Sequence, residues 1–276
     1  MLSYRSKKRI ALVFINLFLI IACLVILFPL IWTLRTSFAY RVLAYRIPPK
    51  WFFMPTLENY STIFKNHPFP RFFSNSFIIA SASTLICLIL GAPAAFSYSR
   101  FRTGGDALRV SMLATQMLPA ITLVIPFFLI FKAIGLYNTR MGLVVTYITF
   151  NIPFVVWILI GFFEGVPREL EESAMVDGCS RFSAFLRIIV PISLPGMLSA
   201  GVFCFVLSWN EFLFALILTG MKSKTLPVAV SSLVTQQGTQ IGAVSAATML
   251  IILPMVILYF GLRNFLIKGM VAGALK

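Results

Sequence analysis

The chain has 276 residues, of which 59% are hydrophobic and 11% are charged, and its 23 Lys and Arg against 8 Asp and Glu give a formal net charge of +15. With a mean hydropathy of +0.95, this composition excludes an ordinary soluble protein and indicates an integral membrane protein. The apolar runs lack the alternation of membrane-barrel strands, so the predicted fold class is all-α.

Six apolar runs are long enough, at about 20 residues, to cross a hydrocarbon core of about 30 Å as helices. Basic residues directly before the first run favour a cytoplasmic N-terminus, and six spans then place both termini inside. The first run is too long for a signal-peptide core and lacks a clear cleavage site, so we expect it to remain as an anchor. The predicted spans lie near residues 10–34, 73–98, 110–131, 141–162, 195–219 and 241–262.

The segment from Arg35 to Phe72 is the longest predicted external connection, and it is rich in proline and aromatic residues. Such aromatic rings are expected at the depth of the lipid headgroups. Within it, the sequence TLENYSTIF predicts a short surface helix with Leu57, Tyr60 and Phe64 on one face.

The same external segment is strongly basic, which predicts an electropositive outer mouth that favours an anionic solute. Arg35, at the outer end of the first span, is the main candidate for that role. Two alternatives stay open: basic side chains that reach lipid phosphates, and residues that hold an acidic protein partner. The basic residues are Arg35, Arg41, Arg46, Lys50, Lys65 and Arg71, against Glu58 alone.

Five of the eight acidic residues lie in residues 164–191, which we call the acidic segment, between two apolar runs. Pro167 and the carboxylates that follow it are typical of a helix start, and Asp177-Gly178 is typical of a helix end. The pattern predicts a helix of about ten residues, a glycine hinge and a second helix that Ser180 opens and Pro191 ends. The second helix is expected to carry Phe182, Phe185, Leu186 and Ile189 on one face. These features indicate a docking element.

Glu211 is the only acid in a predicted span, and an unpaired carboxylate at that depth costs at least a few kcal/mol. It must therefore face protein or water. Together with Trp209 and Asn210, Glu211 is a candidate for the solute pathway, where an indole stacks on the solute and polar groups bind its hydroxyls. The alternative is a structural hydrogen bond between helices or subunits.

The remaining reactive residues predict no catalytic, cofactor or metal site on this chain. The four cysteines are scattered singly, and His67 has no carboxylate or cysteine beside it. The segment GMKSKT, residues 220–225, lacks the second glycine and the preceding strand of a phosphate-binding loop. We therefore expect that this chain does not bind and hydrolyse ATP by that route.

The acidic segment resembles the EAA loop found in permease subunits of bacterial type I ABC importers. The matching pattern is Glu172-Ser173-Ala174, three residues, Gly178, nine residues, Ile188, two residues and Pro191. Ser173 stands where the pattern usually has alanine, which is a small-for-small change. SWNEFLFAL at 208–216, LPVAV at 226–230 and FLIKGMVAGALK at 265–276 are similar to the carbohydrate-uptake branch, in particular to the smaller permease of maltose-type systems.

The resemblance implies a six-helix type I permease fold in the bacterial cytoplasmic (inner) membrane, and coupling helices that sit in a cleft of a cytoplasmic ATPase. The implied domains are an anchor helix with its external segment (1–72), a transmembrane domain containing the acidic segment (73–263) and a cytoplasmic tail (264–276). The implied coupling residues are Glu169, Glu171, Glu172, Ser173, Ala174, Asp177, Gly178, Ile188 and Pro191. The tail, expected to be too small and flexible for a stable helix, reaches between the ATPase subunits through Lys268, Gly269 and Gly273.

The implied partners are a second permease subunit, an ATPase dimer that binds ATP and Mg, an extracytoplasmic solute-binding protein and membrane lipid, with no nucleic acid. The expected cargo is a sugar or sugar derivative, which in the resembled maltose system is held chiefly by the larger permease. An anionic glycoconjugate, sulfonated or phosphorylated, is the alternative cargo. A secondary carrier is the alternative class, although it would need its own coupling-ion site and usually paired halves.

Overall fold

A computed structural model describes residues 4–235 and 238–274 of the chain, and the side chains of residues 12–234 and 240–263. Helices account for nearly all of the regular structure, as predicted. The exception within the described residues is a hairpin of two-residue strands, β1 (Val234–Thr235) and β2 (Gly238–Thr239), paired antiparallel. The first seven helices are α1 (Tyr4–Ser37), α2 (Arg41–Ala44), α3 (Glu58–Asn66), α4 (Phe69–Phe101), α5 (Gly105–Met117), α6 (Ala120–Ala133) and α7 (Arg140–Glu164). The others are α8 (Glu169–Val176), α9 (Arg181–Ala184), α10 (Val190–Asn210), α11 (Leu213–Leu218), α12 (Leu226–Ser231) and α13 (Ile241–Ala274).

In the part of the chain that the structure describes, five helical segments are long and apolar enough to cross a membrane, and a sixth span requires that α5 and α6 be counted together. These two helices meet at an angle of 90°, so the predicted span at 110–131 is broken in its middle. The break lies at Leu118 and Pro119, both in extended conformation. Proline lacks a backbone donor and disfavours helical conformation in the residue before it, which explains the position of the break.

The predicted span at 195–219 is also interrupted. It consists of α10, which ends at Asn210, and the short helix α11, which begins at Leu213. Glu211 separates them in an extended conformation, with φ −64° and ψ 128°. In a membrane, an interruption of this kind requires protein or water to satisfy the freed backbone groups.

The chain forms two compact units, and the first contains residues 1–68 and 230–253. In this unit Asn59 of α3 donates hydrogen bonds to the backbone oxygens of Ser37 and Ala39, at 3.0 and 2.8 Å. The predicted surface helix is therefore confirmed as α3. Ile63 is the buried residue of this helix, while Leu57 and Phe64 of the predicted spacing are exposed.

The second unit contains residues 69–229 and 254–276, and its core lies between α4, α7 and α10. The rings of Phe96, Phe163 and Phe185 meet in this core, with centroids 4.8 to 6.1 Å apart. Helices α7 and α10 approach so closely that a Cβ atom at Gly196 would overlap the ring of Phe162. This packing carries the acidic segment at one end of the bundle.

Candidate functional site

The acidic segment has the predicted order of helix, glycine turn and helix. Its first helix is α8, which begins two residues after Pro167 and spans eight residues. Gly178 follows with φ +88°, the left-handed conformation that glycine adopts without steric penalty. Ser180 then caps α9, because its Oγ accepts a hydrogen bond from the backbone N–H of Ser183 at 3.2 Å.

The predicted end of the second helix at Pro191 is wrong. A π-helical turn, Phe185–Ile189, joins α9 to α10, and the helical path runs on through Pro191 to Asn210. A regular α-helix would bring the proline ring against the carbonyl of Arg187, four residues earlier. The wider π turn relieves that crowding, so Pro191 is tolerated within a continuous helical segment.

The π turn also explains why only part of the predicted apolar face is buried. Phe185 and Ile189 lie in the core, whereas Phe182 is 66% exposed and Leu186 is exposed as well. The turn shifts the periodicity of the helix, so these four residues do not lie on one buried face.

A buried ion pair fastens the acidic segment to the end of α4. The Nε of Arg100 lies 3.1 Å from Oε2 of Glu171, and both side chains are almost inaccessible to solvent. Arg100 also donates to the backbone oxygen of Val166 at 3.0 Å, and Arg168 donates to the backbone oxygen of Arg100 at 3.3 Å. Sequence reasoning missed Arg100, because its partner lies 71 residues away and no local pattern marks it.

The predicted docking residues divide into an inner and an outer set. Glu171 and Ala174 are buried against the bundle, so Glu171 acts within the chain and is not available as a surface contact. Ile188 is half-buried, while the other predicted residues are exposed. Exposed apolar side chains, including Val176 at 87%, accompany this outer set. The outer surface of the acidic segment, which we call the docking face, comprises Glu169, Leu170, Glu172, Ser173, Val176, Asp177, Phe182 and Leu186.

Glu211 lies at the interruption between α10 and α11, and its carboxylate oxygens accept three hydrogen bonds. The donors are the backbone N–H groups of Phe214 and Ala215, at 2.8 and 3.0 Å, and the hydroxyl of Tyr147, at 3.0 Å. The carboxylate therefore caps the first turn of α11, where the positive end of the helix dipole also stabilises it. Glu211 also lines a cavity beside Gln116 and Asn151.

Trp209 does not take the predicted position in a solute pathway. It is 1% exposed, with its indole stacked on Phe205 and in edge contact with Phe73. A large apolar ring at this point of α10 gains more from the helix interface than from an open pathway. The neighbouring Asn210 is exposed and donates to the backbone oxygen of Val206 at 2.9 Å.

Arg35 is 9% exposed and bound within its own unit, which removes it from the predicted electropositive mouth. Its guanidinium donates to the backbone oxygen of Lys50 at 2.6 Å and to that of Leu43 at 3.4 and 3.5 Å. It also lies over the rings of Trp32 and Phe53. Residues 45–57, which are rich in proline, form no helix or strand, so Arg35 serves as a structural clasp for this stretch of backbone.

Replacing Arg35 with glutamine should therefore lower transport of neutral and anionic sugars alike, because the backbone around Leu43 and Lys50 loses its hydrogen bonds to the guanidinium. We expect a loss of about 1 to 3 kcal/mol of local stability for the unpartnered buried groups. The rate of limited proteolysis within residues 40–57 measures this loss of local stability, and uptake assays with a neutral and an anionic sugar measure its effect on transport. Arg46→Gln, at an exposed position, is the matched control. A selective loss of anionic uptake with unchanged proteolysis would contradict the clasp.

The predicted tail residues Lys268, Gly269 and Gly273 lie within α13, which continues to Ala274. The expectation of a non-helical tail is therefore wrong for the backbone. A helix that is already nucleated extends at little cost, since each added residue brings one further hydrogen bond. The side chain of Lys268 lies outside the part of the chain for which the structure describes side chains.

Comparison with known proteins places residues 87–271 in the family described as binding-protein-dependent transport system inner membrane component. The chain is 34% identical to the trehalose/maltose transport system permease protein MalG of Thermococcus litoralis, covering 98% of this chain and 97% of that protein. It is 35% identical to the sulfoquinovosyl glycerol transport system permease protein SmoH of Agrobacterium fabrum, covering 91% and 89%.

A solved structure shares the fold. A chain of a bacterial ABC transporter involved in the import of the acidic polysaccharide alginate superposes with a TM-score of 0.81 at 20% identity, covering 96% of this chain and 99% of that chain.

Proposed function

Because this chain belongs to the binding-protein-dependent transport system inner membrane components, and to the sugar ABC importer permeases among them, we propose that its acidic segment couples sugar movement to ATP hydrolysis on a separate subunit. The chain itself is a transport subunit and not an enzyme. It is a multi-pass protein of the inner membrane. The proposal concerns how the segment does this and which partners it needs.

The observation that carries the proposal is the division of the acidic segment into a buried anchor and an exposed docking face. The ion pair between Arg100 and Glu171 fixes α8 to the end of α4. The docking face leaves carboxylates and apolar side chains such as Leu170 and Val176 open to a partner. An element that is fixed to the helix bundle on one side and binds a partner subunit on the other can transmit motion between the two.

The proposed assembly contains a second permease subunit that completes the pathway, a dimer of ATPase subunits and an extracytoplasmic binding protein. ATP and Mg belong to the ATPase, and this chain needs no cofactor of its own. The proposed orientation places both termini and the acidic segment in the cytoplasm, which follows from the basic residues at the start of α1, before its apolar part, and from the position of an ATPase.

For the cargo, we propose a sugar or sugar derivative, as the trehalose/maltose and sulfoquinovosyl glycerol permeases among its relatives support. An anionic glycoconjugate loses its main support from this chain, because Arg35 is engaged as a clasp. The solute that the cognate binding protein retains, measured by mass spectrometry after its purification, identifies the cargo.

Reconstitution tests the proposed function. The chain is co-expressed with the neighbouring permease and ATPase, and the complex is placed in liposomes with ATP inside and the loaded binding protein outside. We expect uptake that requires both ATP and the binding protein. Uptake that follows a proton or sodium gradient without an ATPase would instead identify a secondary carrier.

The docking face makes a direct prediction at Glu172, an exposed carboxylate in the first turn of α8. Replacing it with lysine puts a positive charge at the positive end of the helix dipole and on the docking face. We expect the favourable charge–dipole energy of about 0.3 to 1 kcal/mol at the start of α8 to be lost. The ATPase should then be retained more weakly during purification. Glu58→Lys is the matched control, since Glu58 is an exposed residue in the first turn of α3. Equal retention of the ATPase by both variants would count against the assignment.

A further inference from the structure

The cavity beside Glu211 has a volume of about 250 Å³ and lies level with the middle of α7, one of the helices long and apolar enough to span a membrane. Asn151, one of its lining residues, is 11 residues after the first residue of α7 and 13 before the last. At 1.5 Å per residue these distances are roughly 16 and 20 Å, so the cavity is far from both ends of that helix. Polar side chains at this depth are costly and usually face a pathway or one another.

Two broken spans converge on this cavity. Leu118 and Ala120, on either side of the break between α5 and α6, line it together with Glu211 at the break between α10 and α11. Discontinuous helices at the midplane are the usual way in which membrane transporters build solute sites, because the breaks supply polar groups. The described residues thus bring both breaks to one space.

The amides that line the cavity each use one N–H on the protein. Gln116 donates to the backbone oxygen of Phe150 at 2.8 Å, and Asn151 donates to Oγ of Ser208 at 2.8 Å. The hydroxyl of Tyr147 donates to Glu211, and that of Thr115 donates to the backbone oxygen of Met112 at 2.7 Å. The lining therefore offers two amide oxygens and the Glu211 carboxylate as acceptors, beside the second N–H of each amide and the hydroxyl of Ser208.

A cavity that offers carboxylate and amide acceptors together with amide donors fits a ligand that both donates and accepts hydrogen bonds, such as the hydroxyl groups of a sugar. The Phe150 and Phe214 rings, stacked with centroids 4.7 Å apart, also line it and offer an apolar surface to the less polar face of a sugar ring. The Glu211 carboxylate repels sulfonate, phosphate or carboxylate groups. Ligand pockets usually measure about 300 to 1,000 Å³, so this one suits part of an oligosaccharide.

We propose that the space between Gln116, Asn151 and Glu211 is a subsite that this permease itself contributes for an uncharged, hydroxyl-rich part of the sugar, and that it excludes anionic groups. The inference rests on the proposed function and adds a contact to cargo on this chain. In this subsite Glu211 has two roles, since its carboxylate caps α11 and also makes the subsite negatively charged.

The test labels the cavity chemically in the purified complex with its partner subunits, without ATP. The four native cysteines are replaced by serine and one is introduced by Ala120→Cys, a change of similar size at an exposed lining position. Cationic and anionic methanethiosulfonate reagents of equal size are then compared. We expect the cationic reagent to react faster, and Glu211→Gln to lower the ratio of the two rates about tenfold. Glu58→Gln, outside the cavity, should leave the ratio unchanged.

Protection by sugar tests binding in the same preparation. Trehalose and maltose are expected to slow labelling at position 120, while a carboxylated sugar such as glucuronate does not. Gln116→Leu should weaken the protection about tenfold, as expected for the loss of a hydrogen-bonding group to the ligand, and it leaves the cap of α11 intact should Glu211→Gln fail to fold. Equal rates for the two reagents, or labelling that no neutral sugar slows, would overturn the subsite. ATP-dependent uptake by the complex is scored separately, so a failed subsite and a failed importer give different results.

Discussion

Replacing Arg100 with alanine is expected to uncouple ATP hydrolysis from transport while the chain still inserts into the membrane. The change leaves the Glu171 carboxylate buried without its partner, which costs about 3 to 5 kcal/mol for a pair of this kind. The same change removes the hydrogen bond to the backbone oxygen of Val166. The acidic segment then detaches from α4, and solute-stimulated ATP hydrolysis and uptake should both fall more than about tenfold, since 1.4 kcal/mol corresponds to a factor of ten.

Two variants separate this role from a general loss of positive charge. Arg102→Ala is the matched control, because Arg102 is largely exposed and its contact with Glu164, at 3.6 Å, is screened by water. The double variant of Arg100→Ala with Glu171→Leu should be less damaged than Arg100→Ala alone, since it removes the orphaned charge. Normal coupling by Arg100→Ala would show that the ion pair does not hold the segment.

The second large effect is expected at Gly178. Valine at this position must adopt the left-handed conformation with φ near +88°, which costs about 1 to 2 kcal/mol or more for a β-branched residue. A Cβ atom there meets no other atom within 4 Å, so strain in the turn is the whole effect. We expect Gly178→Val to redirect α9 relative to α8 and to reduce solute-stimulated ATP hydrolysis about tenfold.

Asparagine tolerates the left-handed conformation, so Gly178→Asn should keep most of the activity. Gly161→Ala tests whether any added side chain in this region is harmful, because Gly161 is helical and also has open space around it. It should be silent. Equal ATPase stimulation in the valine and asparagine variants would mean that the turn is not a rigid part of the coupling element.

Local patterns were sufficient for much of this fold. Apolar runs predict the spans because each run must satisfy its backbone in hydrocarbon by itself. The glycine turn at Gly178 and the cap at Ser180 are likewise properties of a few adjacent residues, and both are confirmed. The family resemblance of the acidic segment depends on the same local spacing.

Contacts between distant residues were not predictable in this way. Arg100 and Glu171 are separated by 71 residues and Tyr147 and Glu211 by 64, so no periodicity relates them. Arg35 was predicted to face the solute because a charge count cannot show that its guanidinium reaches backbone oxygens 8 and 15 residues away. The polar cavity beside Glu211 arises only where two interrupted spans meet.

The close approach of Gly196 to Phe162 has a mechanical consequence. Because the π turn joins α9 to α10, residues 181–210 form one helical segment of 30 residues, roughly 45 Å long at 1.5 Å per residue. Gly196 lies near its centre, where the lack of a side chain lets the Phe162 ring of α7 pack directly against the helix backbone. We therefore expect the segment to tilt about this contact, with roughly 22 Å of helix on one side of it and roughly 21 Å on the other. A shift of the Arg181 end then appears at Glu211 with nearly equal amplitude and in the opposite direction.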